Sequence, residues 1–143
     1  MDRDPSLKQL FKPFRMAQFN FSEEGVLSQF RELMHFDVKI QMCHPFGDFF
    51  GADAFYDEVL KPLFIAMPDL ERRDYIVMSG STEEESDWIA CCGVYLGTFT
   101  KSFINILPTG HLAHMRFHEF YRFKSKQIIE VQAVWDIPEL MMQ

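Results

Sequence analysis

The sequence predicts one α+β domain, with early helices packed on one face of a curved, mainly antiparallel sheet. Three observations carry this. Apolar residues recur at helical spacing as far as Pro68, whereas two-residue alternation dominates the second half. Helices early and strands late indicate segregated layers rather than repeated βαβ units. The 143 residues, 48% of them hydrophobic with 16 Phe and 9 Met, suffice for one sizeable core, so a single domain is placed at 1–143.

Pro5 suits the first turn of a helix carrying Leu7, Leu10 and Phe11, expected over 5–12 and broken near Pro13. Ser22 can cap a second helix over 22–35, in which Val26 or Leu27, Phe30, Leu33 and Met34 recur at helical spacing. Residues 36–43 alternate Phe36, Val38, Ile40 and Met42 against polar neighbours, a half-buried strand ended by His44-Pro45-Phe46-Gly47. Gly51 precedes a third helix over 52–67, with Phe55, Val59, Leu63 and Met67 on one stripe. Pro62 should kink that helix or free a carbonyl, and Pro68 stops it.

From Leu70 to Met78 a strand places Leu70, Ile76 and Met78 on an apolar face that Arg72 and Asp74 interrupt. Residues 79–86 are polar and carry Glu83-Glu84-Glu85, which reads as a solvated loop. Residues 88–99 form a long strand whose small and apolar side chains suggest burial on both faces. After Pro108-Thr109-Gly110 come strands over about 112–123 and 128–135, joined by a turn at Lys124-Ser125-Lys126.

The formal charge of -7 comes from 14 Lys and Arg against 21 Asp and Glu. Such a domain lacks the cationic field for sequence-independent nucleic-acid binding, and anionic membranes would repel it. No apolar run approaches the roughly 20 residues that span a bilayer, and the N-terminus lacks a signal-peptide pattern. Cys43, Cys91 and Cys92 are odd in number and two are adjacent, which reads as reduced thiols in a cytoplasm. Cys91 and Cys92 are expected to be small buried hydrophobes.

The strand at 114–123 carries the chemistry. Its odd positions are Met115, Phe117, Glu119, Tyr121 and Phe123, so Glu119 is a carboxylate flanked by four large apolar residues on its own face. Burying an ionised carboxylate is costly; such a group takes a raised pKa, pairs with a cation, or lines a cavity. A carboxyl poised near neutrality in an apolar pocket suits acid–base catalysis. Alternatively, Glu119 caps a buried Tyr or Arg, or lies at a dimer interface.

His111, His114 and His118 invite a metal reading, but on a strand His114 and His118 lie about 13 Å apart, too far to share a zinc. No nucleophile elbow, P-loop or dinucleotide fingerprint is present. Sixteen Phe exceed what a modest core needs, which points to a cavity for a flat apolar ligand or to an apolar dimer face.

Several runs in order across about 25–143 resemble SnoaL-like polyketide cyclases: His44-Pro-Phe-Gly-Asp-Phe-Phe-Gly-Ala-Asp-Ala-Phe-Tyr, Lys61-Pro-Leu-Phe-Ile-Ala-Met-Pro-Asp-Leu, His114-Met-Arg-Phe-His-Glu-Phe-Tyr-Arg-Phe, Lys126-Gln-Ile-Ile-Glu and Trp135-Asp-Ile-Pro-Glu-Leu. The resemblance implies the cone-shaped α+β barrel shared with ketosteroid isomerase, scytalone dehydratase and nuclear transport factor 2. In that fold a curved, antiparallel or mixed sheet wraps around N-terminal helices and leaves an apolar pocket, and members commonly pair as dimers through their sheets. It further implies ring closure of a polyketide by intramolecular aldol condensation, or related isomerase or lyase chemistry, without metal or organic cofactor. The family carboxylate falls at Glu119, where the cyclases carry Asp.

On the enzyme reading Glu119 is the general acid/base and His44, Gln132 and Trp135 orient or stack on a small apolar carbonyl-bearing ligand. Glu119 is then expected in a mostly apolar pocket, where desolvation by Met115, Phe117 and Tyr121 raises its pKa and a nearby His or Arg would oppose that shift. On the alternative reading the fold is a non-catalytic ligand-binding or dimeric assembly module, and a homodimer pairing through the sheet face around Phe120 is expected on either.

Overall fold

The computed structural model describes residues 5–82 and 86–143; Glu83-Glu84-Glu85 and the N-terminal residues 1–4 lie outside that range. Helix α1 (Pro5–Phe19) continues through Pro13, where a break was expected. Phe11 and Phe14 flank the proline, are fully buried, and stack at 5.0 Å. Phe14 also stacks on Phe30 at 4.9 Å, and Phe11 lies 4.9 Å from Tyr121. Burying two such rings is worth about 3–6 kcal/mol, enough to offset the roughly 3 kcal/mol cost of an interior proline.

Helix α2 (Glu23–Leu33) is capped by the Ser22 hydroxyl, which accepts from the Gly25 N–H at 3.1 Å, and it buries Val26, Phe30 and Leu33. Strand β1 (Met34–Met42) follows directly, and the short β2 (Asp48–Phe50), which the alternation did not reveal, folds back on it. The third helix is interrupted: α3 (Ala52–Phe55) widens into a π-turn over Tyr56–Leu60 before α4 (Lys61–Ala66). Pro62 has no N–H to continue the ladder, and the wider turn, in which the Lys61 N–H donates to the Tyr56 carbonyl, lies just before it.

Strands β3 (Glu71–Ser81), β4 (Asp87–Thr98), β5 (Leu112–Lys124) and β6 (Gln127–Trp135) form the meander. A terminal α5 (Ile137–Met141), also unanticipated, is capped by Asp136. The curved six-stranded sheet runs β2-β1-β6-β5-β4-β3 and is not closed. Its pairs are antiparallel except β1–β6, which is parallel. Among the described residues, no helix is long and apolar enough to cross a membrane.

Two details position the site. Strand β4 is buried on its inner face through Ile89, Cys91 and Tyr95; on the outer face Val94 is buried but Trp88, Ala90 and Cys92 are only half-buried, so the expected burial on both faces holds at Val94 and fails along the rest, Cys92 included. In β3 an irregularity between Asp74 and Ile76 reverses the alternation. Arg72 and Asp74 point inward with Leu70, on the face they were expected to interrupt, while Ile76 and Met78, expected on that same face, are turned to the outer one. Beside it, Gly93 lets the strands close up, since a Cβ there would fall 1.9 Å from the Arg73 carbonyl oxygen.

Candidate active site around Glu119

Glu119 stands on the inner face of β5, and its strand neighbours bring its partners to it by register. Cys91 of β4 and Ala133 of β6 lie directly opposite, Tyr95 and Trp135 pair with Met115 and Phe117 on the same face, and Arg72 of β3 pairs with Tyr95. The carboxylate is fully buried, as are Arg72 and Tyr95. Oε1 accepts from Arg72 Nη1 at 2.6 Å and from the Tyr121 hydroxyl; Oε2 accepts from the Tyr95 hydroxyl at 2.7 Å and from Trp135 Nε1 at 2.8 Å. Four donors fill the roughly four acceptor positions of a carboxylate.

Arg72 is held as tightly. It donates through Nη2 to Asp74 Oδ1 at 3.0 Å and to Cys91 Sγ at 3.0 Å, and its guanidinium lies 4.2 Å from the Phe117 ring centre. Gln18 of α1, itself buried, accepts from Arg72 Nη1 at 3.4 Å and donates to the Phe14 carbonyl. The electrostatics follow from this enclosure. Desolvation pushes the Glu119 pKa up, but the Arg72 charge and the Tyr121, Tyr95 and Trp135 hydrogen bonds outweigh it and hold the carboxyl below its ordinary value. Burial pushes the Cys91 thiol up to about 12 against the opposing Arg72 charge, which leaves it an unreactive thiol.

The expected pocket and raised pKa at Glu119 are therefore corrected. The apolar flank supplies rings, but Tyr95, Tyr121 and Trp135 aim their polar ends at the carboxylate, and Arg72 neutralises it. Glu119 has no exposed surface, and it lines none of three clefts on the described surface, those of Met78, Trp88 and Phe120, of Arg31, Phe36 and Phe50, and of Arg15, Phe19 and Asp74.

The other candidates disperse. Trp135 does meet Glu119, as a hydrogen-bond donor in the core rather than a ligand platform. Gln132 pairs with Phe120, not Glu119, so it faces outward and donates to Glu130 Oε2 at 2.6 Å. His44 is exposed in the turn that contains the cis His44–Pro45 peptide. Neither reaches the carboxylate. Among the described residues, no three His, Cys, Asp or Glu side chains cluster as a metal site requires.

The sequence matches the SnoaL-like polyketide cyclase family over residues 15–143, which includes every partner of Glu119. The chain belongs to that family. No curated protein matches it in sequence. Among solved structures it is similar to IdmH of Streptomyces antibioticus, a proposed polyketide cyclase, at 20% identity over 95% of this chain and 96% of that one, with a TM-score of 0.76. It is similar to AclR of Streptomyces galilaeus, a proposed hydroxylase, at 18% identity over 96% and 79% with a TM-score of 0.76. A SnoaL-like protein of Jannaschia sp. CCS1 gives 18% identity over 99% and 95% with a TM-score of 0.75. At these identities the likeness establishes the fold, and this SnoaL-like chain keeps it with a carboxylate enclosed inside.

Sequence reasoning offered a buried Tyr or Arg as the partner of Glu119 without saying which, treated Arg72 and Asp74 only as interruptions of an apolar face, and passed over Tyr95 and Gln18. The available signal was Arg72: a buried carboxylate needs a cation, and Arg72 shares the inward phase of Leu70. The irregularity at Tyr75 hid it by placing Ile76 and Met78 in apparent phase with Arg72.

Proposed function

We propose that this SnoaL-like chain is a non-catalytic, homodimeric assembly module, in which Glu119 secures the core instead of moving protons. The saturation of its carboxylate carries the reading. A general base for proton removal next to a carbonyl needs a free lone pair within reach of substrate and a pKa near the working pH. Glu119 has its acceptor positions occupied by Arg72, Tyr121, Tyr95 and Trp135, no exposure, and a lowered pKa.

The outer sheet face supports assembly with a second copy. Register places Ile76, Cys92, His118 and Val134 in one cross-strand row and Met78, Ala90, Phe120 and Gln132 in the next. Ile76 is 53% exposed, Met78 58%, Phe120 42% and Val134 57%, while these two rows contain no Lys, Arg, Asp or Glu. The flanking charges are paired within the protomer, Arg122 with Glu130 at 3.6 Å and Arg116 with Asp136 at 3.2 Å. A two-fold pairing would therefore bring apolar rows together without opposing like charges. A standard interface of about 800 Å² per partner is roughly a tenth of the 8030 Å² surface, within what such rows and their neighbours supply.

Light scattering coupled to size exclusion tests this. The expected mass is about 34 kDa, twice the 16.9 kDa chain. Phe120→Asp should elute at the monomer mass with unchanged far-UV circular dichroism. A wild-type monomer at tens of micromolar would overturn the reading.

A further inference from the structure

Across strands β4 and β5, one cysteine and one histidine share the outer face. Cys92 and His118 stand directly opposite each other in register, with Ile76 and Val134 beyond them in the same row. Directly opposed residues have Cβ atoms about 4.5–5.5 Å apart, close enough for both side chains to reach one metal ion. His118 is exposed and Cys92 half-buried. Neither side chain has a hydrogen-bond or ion-pair partner among the described residues. The other cysteines are engaged: Cys43 Sγ accepts from the Trp135 N–H at 3.4 Å and Cys91 Sγ from Arg72 Nη2 at 3.0 Å.

One chain supplies only these two ligands, since no third His, Cys, Asp or Glu joins them among the described residues. A second copy completes the set. The pair lies midway along its row, and Ala90 and Phe120 lie midway along the next. A two-fold axis that runs along the strands between β4 and β5, in the plane between facing sheets, centres both rows on their copies. Phe120 of each protomer then faces Ala90 of the other, a large side chain over a small one, and Ile76 faces Val134. The same axis sets Cys92 of each protomer opposite His118 of the other, gathering two thiols and two imidazoles at one point. Facing sheets stand about 10 Å apart, so an ion midway is about 5 Å from each, within reach of Cys and His through bonds of roughly 2.0–2.3 Å.

We propose that Cys92 and His118 of two protomers form a structural zinc site on the dimer axis. Two thiolates and two imidazoles are the tetrahedral donor set that suits zinc, and the thiolate charges cancel that of the ion. The neutral complex fits rows that carry no Lys, Arg, Asp or Glu. Each thiol releases its proton to solvent as its bond to zinc forms, and no electron moves. The site rests on the sheet-face dimer proposed above. Because the dimer holds four ligands and the single chain two, zinc tightens that dimer by mass action.

The probe is the metal itself. Full-length protein, kept reduced and stripped with EDTA, is titrated with cobalt and then with zinc. The expected result is half an equivalent of metal per chain, a cobalt spectrum of the tetrahedral type with a thiolate charge-transfer band, and displacement of cobalt by zinc. Sedimentation equilibrium should give a dimer dissociation constant at least tenfold lower with zinc than with EDTA. Cys92→Ser and His118→Gln are each expected to lose most of that gain, read against the same variant in EDTA, whereas His111→Gln, outside the rows, keeps it. A wild-type dimer that zinc does not tighten, metal bound at one per chain, or a gain that survives Cys92→Ser would each overturn the zinc site and leave the sheet-face dimer standing. A chain that stays monomeric with and without zinc would overturn both.

Discussion

Replacing Glu119 by Gln separates a structural carboxylate from a catalytic one. The side chain keeps its shape and loses its charge, leaving Arg72 beside Asp74 alone, with Nη2 and Oδ1 at 3.0 Å. If the amide oxygen stays with Arg72 and Tyr121, the amide NH2 faces the Tyr95 hydroxyl and Trp135 Nε1. The hydroxyl can rotate and accept, but the indole N–H cannot, so one buried donor is orphaned at about 1–3 kcal/mol. Breaking a buried ion pair by removing one partner costs about 3–5 kcal/mol, and the remaining Asp74 contact puts the total near the lower end of that range. At this chain length, about 3 kcal/mol lowers Tm by roughly 10 °C. Urea unfolding followed by Trp fluorescence measures the loss, and a double-mutant cycle with Arg72→Met apportions it. The double variant should be more stable than the sum of the single losses predicts by at least about 1.5 kcal/mol. A Glu119→Gln protein within about 1 kcal/mol of wild type, with no coupling to Arg72, would refute the structural assignment and return Glu119 to candidacy as a base.

Two further outcomes follow from the same geometry. Because the folded pKa of Glu119 lies below its ordinary value, its ionised form stabilises the protein fully above roughly pH 4.5, and that contribution is lost as pH falls through the depressed value. The stability gap between wild type and Glu119→Gln should therefore be flat from pH 7 to 5 and shrink below about pH 4; a gap independent of pH down to 2 would contradict the ion pair. At Gly93, Ala would drive a Cβ to 1.9 Å from the Arg73 carbonyl oxygen, forcing β3 away from β4 and shifting Arg72. Overpacking of this kind costs about 1–3 kcal/mol or more, so Gly93→Ala should lower the urea midpoint clearly, and an unchanged midpoint would show that the strands can part freely.

The α+β class, the second helix with its Ser22 cap, the strand of alternating residues around Glu119 and the oddity of that carboxylate were all legible in the sequence. These are local properties: periodicity, capping chemistry and the conflict between a charge and its apolar neighbours are all written within a few residues. The proline at position 13 read as a break because its cost is local, whereas the Phe11 and Phe14 contacts that overcome it come from Phe30 and Tyr121, far along the chain. The short β2 carries too few residues to show alternation and exists because β1 offers it an edge.

The surroundings of Glu119 were not legible in this way. Its neighbours at positions 115, 117 and 121 made it look like a carboxyl in an apolar pocket, the condition that raises a pKa. Four strands had to align before Arg72, Tyr95 and Trp135, drawn from β3, β4 and β6, could converge on it and lower the pKa instead. A sequence states which side chain carries the charge, but desolvation and Coulomb attraction depend on distances between strands. One irregular residue in β3 was enough to turn Ile76 and Met78 outward, so that Arg72, which looked like a blemish on an apolar face, stands inside as the partner of the buried carboxylate.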